Sequence, residues 1–284
     1  MSSIAVPAQR EGAVLRTSLA FVRRHVLTVY SLLFFAYLLL PIAVVVVFSF
    51  NHPAGKFNYT WQGFTWDNWL HWDGVPGIRS AIILSLEIAL IASLVATALG
   101  TLIALALVRY GFRGRGATNI LIFLPLSTPE IVLGASLLTL FLNITWLPLG
   151  FWTILIAHVM FCISFAVVTV KARLVGFDRH LEEAAMDLGA NEWVTFQRVT
   201  LPLTAPAILA ALLLCFAISI DDFVVTYFNA GPRITFPLFV WGAARVGAPP
   251  QVNVIGTTIF LVAVVAMVAN VLFQMRRERS AATA

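Results

Sequence analysis

The fold of this chain is decided by a short polar stretch between apolar segments: Glu182-Glu183-Ala184-Ala185-Met186-Asp187-Leu188-Gly189 and, after nine further residues, Val199-Thr200-Leu201-Pro202. Helix-forming residues dominate this stretch, and Gly189 separates two predicted helical pieces, 181–188 and 191–199. Pro202 fits the first turn of the helix that follows. The stretch is therefore too structured to be a simple linker.

Two interpretations of the first helical piece remain open from its residues alone. Asp178 is placed to cap it, and Glu182 and Glu183 lie in its first turn, where carboxylates favour the positive end of the helix dipole. The small side chains of Ala184 and Ala185 would let a partner protein approach the backbone closely. An amphipathic helix lying on the membrane surface explains the same pattern equally well.

The composition places the chain among integral membrane proteins. Of its 284 residues 60% are hydrophobic and only 11% are charged, and the mean hydropathy of +0.93 lies far outside the range of soluble domains. Apolar runs recur along the chain without a long polar linker, which indicates one membrane domain. Cys162 and Cys215 both fall inside apolar runs, so neither a disulfide framework nor a metal site is supported. No cofactor is expected.

Six apolar runs are long enough to cross a bilayer as helices, which takes about 20 residues each. The sequence therefore predicts an all-α, polytopic membrane protein. The predicted spans cover roughly residues 27–50, 80–108, 117–142, 149–170, 203–228 and 252–274.

The basic residues predict the orientation of these spans, because cytoplasmic loops are enriched in Lys and Arg. With the N-terminus inside, 14 of the 18 basic residues are cytoplasmic, and both termini lie on that side. This topology explains the positive charge without nucleic-acid binding. It gives a cytoplasmic tail at 1–26, a transmembrane domain at 27–275 whose longest inner loop is 175–202, and a cytoplasmic tail at 276–284.

The first outer loop, residues 51–79, is rich in tryptophan. Such residues favour the headgroup region of a bilayer, so an interfacial aromatic belt is one interpretation. The other is that they cover a substrate path or contact an external partner. The tryptophans are Trp61, Trp66, Trp69 and Trp72.

An ATP-binding P-loop is absent from the sequence. Its two lysines, Lys56 and Lys171, are followed by Phe57 and Ala172, so neither completes the pattern GxxxxGK[ST]. No nucleophile, base and oxyanion arrangement stands out either. We therefore expect no enzymatic activity, and any ATP hydrolysis that drives this chain must belong to a different polypeptide.

The polar stretch resembles the EAA signature of permease subunits in ATP-binding-cassette importers, with Val199 in place of the usual isoleucine. Other segments resemble the permeases of spermidine and putrescine importers: Ser49-Phe50-Asn51, Trp61-Gln62-Gly63-Phe64-Thr65, Arg109-Tyr110-Gly111-Phe112-Arg113-Gly114, Pro129-Glu130-Ile131-Val132 and Asp221-Asp222-Phe223-Val224-Val225. Together they cover most of the chain from about 48 to 275.

The resemblance implies a type I importer fold in a bacterial inner membrane and a coupling helix seated in a groove of the ATPase subunit. It also implies a dimer of ATPase subunits, a second homologous permease and an extracytoplasmic polyamine-binding protein as partners. On this analogy the ATPase-coupling residues are Glu182, Glu183, Ala184, Ala185, Asp187, Leu188, Gly189, Glu192, Leu201 and Pro202. Glu192 is as well explained by solvation or by an ion pair with Arg198.

Ionisable groups at membrane depth are candidates for the substrate path, because burying them without a function is costly. Asp221 lies eighteen residues beyond Leu203, roughly 27 Å from the inner end of its span at about 1.5 Å per residue. The pair Asp221 and Asp222 is thus expected near the outer mouth, as hydrated carboxylates or as a site that attracts cations. Ser219 in the same span is included in the candidate path.

Two further carboxylates complete the candidate path. Glu130 follows Pro129, which can open the helix, so Glu130 either lines a cation path or has an internal partner such as His158. Glu87 either lines the path, pairs with Arg79 or points to a subunit interface. His158 is expected to be a packing or hydrogen-bonding residue rather than a ligand.

The predicted function is transport of a polyamine by alternating access, driven by separate ATPases. Two alternatives stay open at this stage. One is an autonomous secondary transporter or channel for cations, and the other is the same importer architecture with another small solute.

Overall fold

The computed structural model describes residues 8–55 and 57–282, with side chains at 25–55, 57–265, 268 and 272. Over these residues the chain is helical, with twelve α-helices, one π-helical turn and a single isolated β-bridge between Asn51 and Phe64. The all-α prediction is confirmed. The chain divides into two compact units, Met1–Gly74 with Gly247–Ala284, and Val75–Val246.

The first unit contains helices α1 (Ala8–Phe48), α2 (Asp67–Leu70) and α12 (Pro250–Ala282). Helices α1 and α12 contact each other, and Gly256 lets α12 approach Val45. The first predicted span falls on α1, which continues through Pro41. The sixth predicted span falls on α12, but many of its side chains beyond Val265 lie outside the described residues.

The segment after α1 is ordered by buried asparagines. Asn51 donates to Asn58 Oδ1 (2.6 Å) and to the Thr60 carbonyl (2.8 Å), and its own Oδ1 accepts from the Gln62 N–H at 2.7 Å. Asn68 donates to the carbonyls of Ser49 and Asn51 at 3.0 and 2.8 Å. These bonds satisfy backbone groups that no helix or sheet satisfies here.

The ring of Phe50 lies at the centre of this segment. Its neighbours are Phe64, Trp66 and Trp69, with centroids 5.4, 4.9 and 5.3 Å away. Trp66 remains exposed. The predicted first outer loop is therefore organised by specific contacts, and the two interpretations of its tryptophans both stay predictions.

The second unit is built around three long helices that pack on one another: α3 (Ile78–Arg109), α6 (Phe151–Val175) and α9 (Leu201–Asp221). Small residues allow the close approach, since a Cβ at Gly100 would lie 2.6 Å from that of Ala166. In lipid, such packing contacts drive helix association in place of the hydrophobic effect. The thiols of Cys162 and Cys215 are buried here, each against the other's carbonyl, and they are free.

Shorter helices complete the second unit: α4 (Arg115–Ser127), α5 (Glu130–Leu142), α7 (His180–Asp187), α8 (Glu192–Thr195), α10 (Val224–Asn229) and α11 (Phe236–Val246). A π-helical turn, Phe196–Thr200, joins α8 to α9. Two of the predicted spans, 117–142 and 203–228, are each divided between two helices.

The break in the third predicted span is sharp. Helices α4 and α5 are bent by 109° with respect to each other, and Thr128 between them has extended φ and ψ of −84° and 132°. Proline disfavours a helical conformation for the residue before it, so Pro129 explains the break. In the fifth predicted span α9 ends at Asp221, Asp222 is extended (φ −63°, ψ 121°), and α10 begins two residues later.

The number of crossings differs from six within the described residues. Four helices there are long and apolar enough to span a bilayer, and a fifth span results if the bent pair α4–α5 counts as one. The sixth is not counted because the part of α12 with described side chains is too short. The prediction of a polytopic helical protein is confirmed, whereas the count of six spans is not fully confirmed within the described residues, because the third predicted span is bent and the side chains of α12 are described only in part.

Candidate functional site

The two broken helices line one cavity in the second unit. Its volume is about 540 Å³, which is within the range of small-molecule sites. The break between α4 and α5 and the break between α9 and α10 both contribute to its wall. The lining residues are Pro125, Leu126, Thr128, Pro129, Glu130, Leu133, Phe161, Phe165, Ile218, Asp221, Asp222, Phe223, Val224 and Val225.

Glu130 and Asp221 give this cavity its charge. Both are exposed and both line it, Glu130 as the first residue of α5 and Asp221 as the last of α9. No Lys, Arg or His belongs to the lining as far as the structure describes the chain. Two carboxylates without a basic neighbour produce a negative potential in a low-dielectric wall, which attracts cations and repels anions.

Asp222 also contributes to the wall, but its carboxylate is already bonded. Its side chain is 8% exposed, and Oδ2 accepts from the Thr226 N–H at 2.8 Å and hydroxyl at 2.7 Å. His158 Nε2 lies 3.3 Å from the same oxygen, and His158 Nδ1 is 2.7 Å from the Ser219 hydroxyl. Asp222 and Ser219 therefore belong to a buried hydrogen-bond network next to the cavity, with His158 as the satisfied partner that the sequence led us to expect.

Glu87 lies elsewhere. It is exposed on α3 and does not line the cavity. Arg79 is eight residues earlier on the same helix, about 12 Å along its axis, which is too far for a direct ion pair. Of the predicted path residues, the cavity brings together Glu130, Asp221 and Asp222, and it leaves Glu87 apart.

The aromatic part of the cavity was missed from the sequence. Phe161 and Phe165 on α6 line it together with Phe223 at the α9–α10 break. Their spacing of four residues on α6 puts Phe161 and Phe165 on one helix face. Since apolar residues surround both on α6, that spacing could not be distinguished from ordinary packing.

The first helical piece of the predicted coupling segment begins at His180, one residue before the predicted start, and the residue at its N-cap is Arg179 rather than Asp178. Asp178 Oδ1 accepts from the N–H of His180, the first residue of α7, at 3.0 Å and contacts its ring at 2.7 Å. The hydrogen bond between the Asp178 carboxylate and the His180 ring lowers the pKa of Asp178 and raises the pKa of His180. Further on, Asn191 caps α8 by accepting from the Val194 N–H.

Glu182 joins the coupling segment to two long helices. Its Oε1 accepts from Arg109 Nη2 at 2.9 Å, in the last turn of α3, and from the Thr200 hydroxyl at 2.6 Å, just before α9. The side chains of Arg109 and Glu182 are only 12% and 13% exposed. The Arg109 guanidinium also lies 5.2 Å from the centre of the Phe177 ring. Sequence reasoning assigned Glu182 to the coupling set but did not find its partners.

The other predicted coupling residues are on the surface. Glu183, Ala184, Asp187 and Glu192 are exposed, Ala185 is half-buried, and Leu188 is 90% exposed. Gly189 has a φ of +91°, a conformation that other residues rarely adopt, and it ends α7. Leu201 and Pro202 begin α9 and are exposed.

Exposed apolar side chains accompany these residues. Leu181, Met186 and Trp193 are 49%, 42% and 63% exposed. Together with Leu188 they are exposed large apolar residues of the coupling segment, and exposed apolar side chains are typical of protein or membrane interfaces. Trp193 was not among the predicted coupling residues.

Comparison with known proteins identifies the family. Residues 96–279 match the family described as binding-protein-dependent transport system inner membrane component. The chain belongs to this family. It is thus a membrane-embedded transport permease rather than an enzyme.

Relatives within this family are similar over most of their length. The chain is 39% identical over 237 residues to the spermidine/putrescine transport system permease protein PotC of Escherichia coli (strain K12), covering 83% of this chain and 89% of that protein. It is 40% identical over 237 residues to the putrescine transport system permease protein PotI of the same organism, covering 80% and 83%.

Solved structures agree on the fold. A bacterial ABC transporter involved in the import of the acidic polysaccharide alginate matches with a TM-score of 0.69, covering 95% of this chain and 99% of that one at 15% identity. An amino acid ABC transporter matches with a TM-score of 0.56, covering 76% and 100% at 16% identity. The fold of this family member is therefore that of ABC importer permeases.

Proposed function

We propose that this chain is the permease subunit of an ATP-driven importer for a polyamine, putrescine or spermidine, and that it forms half of the membrane path by alternating access. The cavity with Glu130 and Asp221 is the observation that carries this proposal. An aliphatic polyamine has ammonium groups separated by methylenes, so it needs separated anionic or aromatic partners and apolar surface between them.

The lining of the cavity contains anionic groups, aromatic rings and apolar surface. The carboxylates of Glu130 and Asp221 come from different broken helices, and each can accept hydrogen bonds from an ammonium group. Phe161, Phe165 and Phe223 offer ring faces for a cation and apolar surface for methylenes. An acidic polysaccharide would be repelled here, so the likeness to the alginate transporter extends to the fold alone. The relatives PotC and PotI, which are named as spermidine/putrescine and putrescine transport permeases, support a polyamine independently.

The partners follow from the coupling segment and the family. The exposed apolar side chains of the coupling segment form the proposed contact with an ATPase subunit, which would transmit the closure of the two ATPases through Glu182 to α3 and α9. A second, homologous permease would complete the path, and an extracytoplasmic binding protein would deliver the polyamine. This arrangement requires the coupling segment and both termini to be cytoplasmic.

Neutralising the cavity tests the substrate. We expect Glu130→Gln with Asp221→Asn to reduce uptake of labelled putrescine or spermidine by at least about tenfold, because each lost charge-assisted hydrogen bond is worth roughly 1.5–3 kcal/mol. The measurement uses the complete transporter reconstituted in vesicles with ATP. Asp73→Asn, an exposed carboxylate outside the cavity, is the matched control. Glu87→Gln reports whether Glu87 also belongs to the path.

Three results would contradict the proposal. Unchanged polyamine uptake in the double variant would mean that Glu130 and Asp221 do not bind the cargo, and the absence of polyamine uptake by the complete unsubstituted transporter would exclude a polyamine as cargo. Gradient-driven uptake by the chain alone, with no ATPase present, would instead support an autonomous transporter.

A further inference from the structure

The buried network next to the cavity has a member that a transported solute cannot touch. His158 on α6 is 2% exposed and does not line the cavity. Both of its ring nitrogens nevertheless have partners on the segment that forms the α9–α10 break: Ser219 on one side, and Asp222 with Thr226 on the other. His158 therefore connects α6 to both sides of this break.

The hydrogen-bond partners of His158 determine which ring nitrogen carries a proton. An ionised Asp222 carboxylate only accepts hydrogen bonds, so its contact with His158 places a proton on Nε2. Nε2 is also 2.9 Å from the Thr226 hydroxyl, which donates to the same carboxylate. In the neutral ring Nδ1 then accepts from the Ser219 hydroxyl. Every polar atom that His158 presents is thereby bonded, as buried polar groups require.

Asp222 also makes a hydrogen bond with the backbone at the break between α9 and α10. It is the extended residue at which α9 ends, and its carboxylate accepts the Thr226 N–H in the first turn of α10. An unheld break would leave the free backbone groups of both helix ends to find other partners. The Asp222 carboxylate thus contacts both the first turn of α10 and the ring of His158.

We propose that His158 is a positioning residue: by holding Asp222 it fixes the break between α9 and α10 and thereby keeps the Asp221 carboxylate on the cavity. This deepens the proposed function, since it rests on the cavity being the substrate path. The effect is indirect, because Asp221 and not His158 faces the solute.

Thiol accessibility tests the proposal without any polyamine. The chain has two cysteines, Cys162 and Cys215, and both are buried, so the parent gives a low background. Asp221→Cys in the complete transporter should react with a small cationic methanethiosulfonate. Mass spectrometry of this subunit measures the rate of that reaction. Adding His158→Leu, which keeps the bulk and removes both hydrogen bonds, should slow the reaction about tenfold.

A second cavity position separates local from global effects. Glu130→Cys reports the same cavity from α5, and His158→Leu should change its reaction rate less than about twofold, since the hydrogen-bond partners of His158 are at Ser219, Asp222 and Thr226 and none is on α5. If His158→Leu slows both positions, or neither, the proposal is overturned: the first result means general loss of packing and the second means no positioning.

Two polar replacements keep the test decisive if His158→Leu does not fold. The amide nitrogen of Gln reaches the position of Nε2 and can donate to Asp222, whereas that of Asn reaches only the position of Nδ1 and can serve only Ser219. His158→Gln should restore the rate at Asp221→Cys, and His158→Asn should not. Equal rates in these two variants would overturn the route through Asp222. Failure of the polyamine assignment would leave all these rates unchanged, so the two proposals can fail separately.

Discussion

Glu182 and Glu183 are neighbours on α7, but their carboxylates have different surroundings. Glu182 is partly buried and accepts from Arg109 and Thr200, whereas Glu183 is exposed. Removing one partner of a buried ion pair costs more than the pair contributes, because the other charge is left without compensation. The Arg109 guanidinium would be that charge, since it comes from a different helix and cannot simply move into solvent.

Alanine at these two positions should therefore have different consequences. We expect Glu182→Ala to lower the free energy of unfolding by about 1–3 kcal/mol, discounted for partial exposure, which corresponds to several degrees in Tm. Glu183→Ala should leave Tm within about 1 °C, as exposed substitutions usually do. Thermal unfolding of the purified permease without ATPase measures both. Equal Tm values would mean that the contact with Arg109 does not stabilise the fold.

At the scale of elements, the cavity depends on how closely α5 and α10 approach. Gly134 on α5 makes that approach, since a Cβ there would lie 2.8 Å from Cδ2 of Phe228 and 3.4 Å from the Cα of Val225. Asn229 on α10 also donates to the Gly134 carbonyl at 3.3 Å. A larger side chain at 134 must displace the Phe228 ring or α10 itself, the element that follows Asp221 and Asp222.

Gly134→Val should accordingly reduce transport and stability together. Overpacking costs about 1–3 kcal/mol, and we expect uptake to fall at least about tenfold because the cavity wall moves with α10. Ser136→Val, two residues away on the exposed face of α5, is the matched control. Adding Phe228→Ala should recover part of the loss, which a double-mutant cycle measures. Simple addition of the two effects would contradict a contact between these positions.

The two helix breaks show what the sequence could predict and what it could not. Pro129 predicts the first break, between α4 and α5, because proline lacks a backbone N–H donor and disfavours a helical conformation for the residue before it. No proline or glycine occurs at the second break, between α9 and α10. There the Asp222 side chain accepts the Thr226 N–H in the first turn of α10. The partner of Asp222 is His158, which lies 64 residues earlier in sequence. Such a long-range partner leaves no local pattern.

The direction in which each side chain points was the second feature that the sequence could not predict. Glu87, Glu130 and Asp221 are all carboxylates in predicted spans, yet only Glu130 and Asp221 line the cavity. The helices are apolar on all sides, as membrane helices are, so hydrophobic periodicity does not indicate which face is inward. The fold class and the family were accessible from composition and motif spacing, whereas the site required the packing of α5, α6, α9 and α10.

For the whole molecule, the proposed topology requires the bent pair α4–α5 to be one crossing rather than a re-entrant loop. Arg109, Arg113 and Arg115 lie at one end of this pair, whereas Lys171 and Arg173 lie near the C-terminal end of α6 and Arg179 lies just beyond it. Placing both basic groups in the cytoplasm requires an even number of crossings between them. Helix α6 supplies one, so α4 and α5 together must supply the other despite their 109° bend.

Single cysteines test this topology, since both native cysteines are buried. Thr145→Cys, in the turn after α5, should react with a membrane-impermeant thiol reagent from outside intact cells. Gly111→Cys, in the loop after α3 and with no neighbouring atom within 4 Å of its Cβ, should react only after the membrane is permeabilised. Gly55→Cys, in the predicted first outer loop and equally open, is the external control. If Thr145→Cys is protected as Gly111→Cys is, the pair is re-entrant, the coupling segment then lies outside, and the docking of an ATPase on α7 is excluded.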